Sequence, residues 1–331
     1  MSIKFIQFGL GPIGIEVAKT AISKGFEIIG AVDIKEDIVG KDVADVLGLP
    51  EKTGIEVKST IKEIGKTDAA VVFHNTVSKF PDALPQVVEI IELGYNVVST
   101  TEEMSFPLAR YPEQTKELDE KAKSFGVTVL GTGVNPGFVL DTLPIVMTTP
   151  AKRVERIVGL RVQNASVRRF PFQKKIGSGM TPEEFGKAWN EGKLGHMGFK
   201  ESTSMIAYAL GWKLDRIEEI CEPVIAGEYV ETQYFKVEKG LVRGLNQRVM
   251  GFKDGEEVIK LQIIAALEAE NPRDEIFVYG DPNIHLFIEG GLHGDIATVS
   301  VTANMAPIVI SADPGFKTMI DLPVPRNYQV G

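Results

Sequence analysis

Ile3-Lys4-Phe5-Ile6-Gln7-Phe8-Gly9-Leu10-Gly11-Pro12-Ile13-Gly14 decides the fold of this chain. Its first half is an apolar run with the length of a buried strand, and its second half is a Gly-x-Gly-x-x-Gly turn that follows without a gap. Ile13, Val17, Ala18, Ala21 and Ile22 then recur at helical spacing. Strand, glycine turn and helix in that order form the setting in which such a turn receives a dinucleotide. Gly9 permits the tight bend, Gly11 lets the backbone approach a pyrophosphate, and Gly14 lets the helix pack against the strand. Leu10, Pro12 and Ile13 fill the turn, where Pro12 costs little because first-turn N–H groups have no helical partner. The free N–H groups and dipole of the helix start favour an anion.

A second apolar strand, Phe26 to Val32, ends in Asp33, 19 residues after Gly14. A carboxylate there accepts from ribose hydroxyls and repels a 2′-phosphate, which favours NAD. Ile34 and Lys35 follow it, and Lys35 keeps NADP open as the cofactor. Alternating strand and helix patterns to about residue 135 predict a Rossmann-type parallel sheet with helices on both faces, the first part of an α/β fold. Two further strands end in His74-Asn75-Thr76 and in Thr100-Thr101-Glu102-Glu103. Both fall on the carboxyl edge, where open α/β sheets bind ligands. His74 reads either as a satisfied strand-end histidine or as a cofactor contact. The Glu102-Glu103 pair reads either as a solvated helix start or as the source of a general base. A last strand, Val127 to Leu130, leads into Gly131-Thr132-Gly133-Val134-Asn135-Pro136-Gly137-Phe138, whose small residues suit close approach to a flat ligand. Asn135 is a candidate for both cofactor and substrate, and Pro136 and Phe138 for substrate.

From about residue 140 the pattern changes. The chain is expected to hold a dinucleotide domain over 1–140, joined again by a C-terminal segment from about 305, and an α+β domain with a largely antiparallel sheet over 141–304. The second domain is expected to bind substrate and serve as a dimer surface. Residues 234–252, 257–268 and 274–289 read as strands, with Asp254-Gly255 as a hairpin turn. Thr181-Pro182-Glu183-Glu184 is a capping box. Residues 296–309 read as an amphipathic helix returning to the first domain. Arg161, Arg168, Arg169, Lys174 and Lys175 flank Phe170-Pro171-Phe172. An arginine of this group, Arg168 for instance, would bind a substrate carboxylate in bidentate fashion beside Phe170.

The 331 residues carry a net charge of −9, which disfavours nucleic acid as a partner. No apolar run reaches the length of a membrane span. The single Cys221 fits a reducing cytoplasm and reads as a packed thiol. Four histidines without HxxxH or CxxC spacing give no metal site.

Together, the glycine turn, Ser99 to Glu103, Gly131 to Phe138 and His293-Gly294-Asp295-x-Ala297-Thr298 resemble the 2,4-diaminopentanoate dehydrogenases. They are also similar to the native amine dehydrogenases and, more distantly, to the dihydrodipicolinate reductases. The similarity runs the length of the chain, and the loop after residue 130 is its most specific part. It implies oxidative deamination: a C–N bond loses hydride to NAD(P), and water hydrolyses the imine to a ketone and ammonia. It also implies that a glutamate after the Ser99 strand takes the proton or holds the ammonium, which by position is Glu102 or Glu103. The reductases' paired-histidine segment with a following lysine is absent from this sequence, which disfavours that reaction. Two other readings stay open: a dehydrogenase of a hydroxy acid or semialdehyde, and a dinucleotide-binding redox sensor without catalysis.

Overall fold

The computed structural model describes residues 2–328. The chain divides into two compact units, Met1–Phe138 with His293–Gly331, and Val139–Leu292.

The first unit opens with β1 (Lys4–Phe8), α1 (Pro12–Ser23) and β2 (Glu27–Val32), followed by α2 (Val43–Leu47), β3 (Val57–Lys58) and α3 (Ile61–Ile64). It continues with β4 (Val71–His74), α4 (Phe80–Glu92), β5 (Asn96–Ser99), α5 (Pro112–Ser124) and β6 (Thr128–Gly131). The second unit holds α6 (Thr142–Met147), β7 (Arg153–Asn164), α7 (Phe170–Lys175), α8 (Pro182–Asn190) and α9 (Phe199–Ala209). Then come β8 (Arg216–Ile225), β9 (Val230–Glu231), β10 (Lys236–Val237), β11 (Val242–Lys253), β12 (Glu256–Ala266), β13 (Arg273–Asp281) and β14 (Ile284–Glu289). The chain returns to the first unit with α10 (Gly294–Ile310) and β15 (Gly315–Lys317).

The first sheet is parallel throughout, in the order β15-β6-β5-β4-β1-β2-β3. Its central strands are buried on both faces, as near-continuous apolar runs require. Phe5, Val71, Phe73, Val98 and Leu130 pack on one face with Val17 and Ala21 of α1 and with Met305, Ala306 and Val309 of α10. Ile6, Val72, Val97 and Val129 pack on the other with Val87 and Ile91 of α4 and Leu118 of α5. The return to this unit begins at His293, earlier than the expected 305, because α10 is apolar enough to complete the first of these cores.

The second sheet runs β14-β13-β7-β12-β11-β8 and is antiparallel except for the β7–β12 pair. Asp254 and Gly255 make the β11–β12 turn, both at positive φ, as that dipeptide suggests. The strand expected over 234–252 is in fact the short β10 and then β11, and the run 274–289 is a hairpin. Strand β8 was not foreseen, because its alternation mixes Glu, Cys and Pro with the aliphatic residues. In the first unit α2 lies between β2 and β3. Asp42 caps it with an Oδ1 that accepts from Ala44 N–H at 2.8 Å, and, against the opposing effect of burial, three backbone N–H groups and the Thr53 hydroxyl lower that carboxyl to about 2.

Arg161 is a correction to the expected basic surface cluster. It is 1% exposed, and its guanidinium pairs with Asp274 at 2.8 Å and donates to the Leu292 carbonyl at 2.7 Å. Cys221 is half-buried, and burial together with Glu219 and Glu222 pushes its thiol up to about 12. Among the described residues no helix is long and apolar enough to cross a membrane, and no group of three or more His, Cys, Asp or Glu is placed to hold a metal ion.

Candidate active site

Five loops leave the carboxyl edge of the parallel sheet: Gly9–Gly14 after β1, Asp33–Lys35 after β2, Asn75 and Thr76 after β4, Thr100–Glu103 after β5 and Thr132–Phe138 after β6. The residues singled out in the first unit therefore gather on one edge. Arg168 and Phe170 belong to the second unit. There the Arg168 guanidinium lies 4.2 Å from the centre of the Phe172 ring, and Phe170 stacks on Phe235 at 5.5 Å.

The glycine turn fits a dinucleotide. Gly9 sits at φ +95°, and a Cβ there would lie 2.3 Å from the Asn75 carbonyl oxygen. A Cβ on Gly14 would lie 1.9 Å from the Gly9 carbonyl oxygen, so only glycine allows α1 to start this close to the turn. Gly11 is the opposite case. A Cβ there meets nothing within 4 Å, so among the described residues its glycine serves no contact and leaves open space of the kind a pyrophosphate needs. Asp33 is 8% exposed; its Oδ2 accepts from Leu10 N–H at 2.6 Å and its Oδ1 from Lys35 N–H at 3.0 Å. The carboxylate thus ties the glycine turn to the end of β2. Ile34 is 85% exposed beside it.

His74 resolves to the satisfied strand-end histidine. It is fully buried, with Nδ1 2.9 Å from Ser99 Oγ and Nε2 2.9 Å from Gln86 Oε1. Burial lowers it from 6.5 to about 4, so the ring is neutral. Nε2–H then donates to the Gln86 carbonyl, which also accepts from the exposed Thr76 hydroxyl at 2.8 Å, and Nδ1 accepts from Ser99. Ser99 Oγ in turn accepts from Thr101 N–H at 3.1 Å, which fixes the start of the Glu102 segment.

The two adjacent glutamates lie in very different surroundings. Glu103 is 3% exposed, and its Oε2 accepts from Phe80 N–H at 2.9 Å and from the Tyr111 hydroxyl at 3.1 Å. Its Oε1 accepts from Arg110 at 3.0 Å. It completes the N-terminus of α4, which has no cap of its own, and holds Tyr111 against Phe80. Burial and the Glu103 charge push the Tyr111 phenol upward, so it stays a donor. Buried and engaged on both oxygens, Glu103 is not placed to meet a substrate, and this corrects its candidacy as the catalytic acid. Glu102 is half-buried, and among the described residues its carboxylate has no hydrogen-bond or ion-pair partner.

The loop after β6 folds onto this segment. A Cβ on Gly131 would fall 2.3 Å from the Met104 carbonyl oxygen, so this glycine lets the backbone just past the glutamates lie against β6. Thr132 N–H donates to the Ser99 carbonyl at 2.8 Å, and Val134 N–H to Thr298 Oγ1 of α10 at 3.3 Å. Asn135 and Pro136 are buried in the loop and Phe138 is half-buried.

Sequence reasoning missed Gln7 and Gln86, and it named Thr298 only within the family motif, without its contact to the loop after β6. Gln7 had a signal, since a polar residue inside a wholly apolar strand needs a partner. Gln86 and Thr298 are helix residues whose contacts are set by tertiary packing.

A parallel α/β sheet with a dinucleotide turn and, at the same edge, a carboxylate unpartnered among the described residues is the arrangement of a nicotinamide-dependent oxidoreductase. Comparison with known proteins narrows the class. The profile of the 2,4-diaminopentanoate dehydrogenase C-terminal domain matches residues 138–330. The 2,4-diaminopentanoate dehydrogenase of Acetoanaerobium sticklandii is 37% identical over 98% of this chain and 94% of its own length. The chain belongs to the 2,4-diaminopentanoate dehydrogenase family. Among solved structures, the amine dehydrogenase of Mycobacterium smegmatis superposes with a TM-score of 0.87 at 24% identity, covering 100% of this chain and 99% of that one. Dihydrodipicolinate reductase from Paenisporosarcina sp. TG-14 gives 0.52 at 12% identity, over 96% and 98%. These two likenesses carry the fold.

Proposed function

We propose that this chain catalyses the NAD(P)-dependent oxidative deamination of 2,4-diaminopentanoate or a closely related amine, with Glu102 as the acid–base residue. The observation that carries the reading is Glu102 itself, a carboxylate without a partner among the described residues, on the edge that bears the dinucleotide turn, in a chain of this family. The reaction takes an ammonium substrate, the oxidised cofactor and water to a ketone, the reduced cofactor, ammonium and a proton. The bound nicotinamide supplies a two-electron hydride acceptor. Glu102 takes the proton that the ammonium must lose before its C–H bond can give up hydride, and returns a proton as ammonia leaves. The backbone of the glycine turn holds the pyrophosphate and Asp33 the adenosine ribose, which favours NAD. Thr101 and Asn135 would border a bound nicotinamide, and Pro136 and Phe138 the substrate.

In the second unit we assign Arg168 and Phe170 to substrate binding, Arg168 to the carboxylate, and the dimer surface to the open sheet face. Phe287, Glu275, Leu160, Gln262, Arg248 and Ile220 stand opposite one another across that face in the strand register. Phe287 is 51% and Ile220 40% exposed. Light scattering is expected to give twice the 36.2 kDa chain mass, reduced to the monomer by Phe287→Lys; a monomeric parent protein contradicts the assignment. Absorbance of the reduced nicotinamide with 2,4-diaminopentanoate and NAD tests the reaction. The signal is expected with the diamine, and with the keto acid it reverses only when ammonia is present. Turnover of an alcohol with no dependence on ammonia would show the hydroxy-acid chemistry instead.

A further inference from the structure

Gln7 is 0% exposed in the middle of β1, between Ile6 and Phe8. Burying an amide among apolar strands is costly unless its groups are bonded. Here Nε2 donates to two acceptors, the Gly9 carbonyl at 2.9 Å and Asn75 Oδ1 at 2.8 Å. Its Oε1 is buried with no hydrogen-bond partner among the described residues. The amide orientation is fixed by Gly9, whose carbonyl can only accept. That choice fixes Asn75 in turn, leaving its Nδ2 to donate to Thr100 Oγ1 at 3.0 Å. A single polarised chain therefore runs from the dinucleotide turn, across β1, β4 and β5, to the segment that carries Glu102. It is reinforced where the Asn75 carbonyl packs against Gly9 and where Asn75 N–H donates to Phe8 at 2.8 Å.

We propose that Gln7 is a positioning residue that, through Asn75 and Thr100, sets where the Glu102 segment stands relative to the glycine turn. Gln7 meets neither cofactor nor substrate. It acts by holding two functional loops in one register, and small misplacements of such loops are costly to rate. The proposal rests on Glu102 as the acid–base residue.

The test is a cycle of Gln7→Met, which keeps the volume and removes the donor, Thr100→Val, which removes the last acceptor, and the double variant. Each is assayed for kcat with the diamine, for NAD affinity by calorimetry and for Tm. Each single variant is expected to lower kcat about tenfold, as loss of one buried hydrogen bond at a positioned group allows. NAD affinity is expected to change less than about threefold, and the double variant to be within about twofold of the slower single, because a connection can be cut only once. Additive losses, or a loss confined to NAD affinity with kcat intact, overturn the proposal. Should Gln7→Met fail to fold, Thr100→Ser decides. It restores the acceptor and is expected to recover kcat to within about twofold of the parent, a hydrogen-bond repair. A Thr100→Ser as slow as Thr100→Val refutes the link. Glu102→Gln is assayed alongside: full activity there rejects Glu102 as the acid, while additivity between positions 7 and 100 rejects the link itself.

Discussion

The two sheets of this chain bury their strands in different ways, and the difference decides where function can be read. The parallel sheet is covered on both faces, so its only ligand-accessible backbone lies at the strand ends. Glycines, hydroxyls and carboxylates placed there stand out against apolar strands. The mixed sheet has one buried face, with Ile276, Gly159, Leu261 and Val249 in one row, and one face open. Its polar residues alternate along every strand, so alternation alone does not separate a partner surface from an ordinary wet one.

The comparison is sharpest at the glycine turn, where the parallel sheet is proposed to meet the cofactor. Gly14→Ala forces a methyl against the Gly9 carbonyl. It is expected to cost both stability, about 1–3 kcal/mol or more as overpacking does, and NAD affinity. Gly11→Ala adds a methyl to open space. Its Tm should match the parent, while NAD affinity falls about 10–100-fold, or roughly 1.4–2.8 kcal/mol. Calorimetry with thermal denaturation checks both, and equal behaviour of the two variants would show that the turn meets no phosphate.

The buried edge also differs from the open face in its response to pH. His74 binds its proton near 4 in the folded protein and near 6.5 when unfolded, so between those values the unfolded state holds more protons. Stability is therefore full above about pH 6.5 and is lost as the pH falls toward 4, by about 3 kcal/mol from this group. Denaturant titrations across that window should show the loss in the parent and a smaller slope in His74→Gln. An unchanged slope would mean the ring is not held neutral by burial.

Much of this was legible in the sequence, for physical reasons that the residues make plain. Gly9, Gly11, Gly14 and Asp33 could be placed because backbone geometry and ligand charge demand those residue types in that order. The strand ends at His74, Ser99 and Gly131 followed from apolar runs with abrupt polar stops. Glu102 and Glu103 could not be told apart, because their difference comes from Phe80, Arg110 and Tyr111, which the fold brings to one of them only. Arg161 looked like its basic neighbours until β13 placed Asp274 beside it. Helix α10 was visible as a helix returning to the first unit, but how early the return begins depends on a core assembled from residues more than 300 positions apart, such as Phe5 and Val309.

The central claim is that of two adjacent carboxylates at the edge of the parallel sheet, Glu102 moves the proton and Glu103 holds the loop. Single-turnover reduction of NAD by 2,4-diaminopentanoate, measured on Glu102→Gln and Glu103→Gln at matched fractions of folded protein, tests it most directly. The account predicts that Glu102→Gln slows the step about 10²–10⁴-fold with Tm unchanged, the span of a lost general base. Glu103→Gln should lower stability by about 1–3 kcal/mol, the worth of hydrogen bonds to a charged group, while the folded fraction keeps most of its rate. Full-rate reduction by Glu102→Gln, or a larger loss of rate in Glu103→Gln, would contradict it.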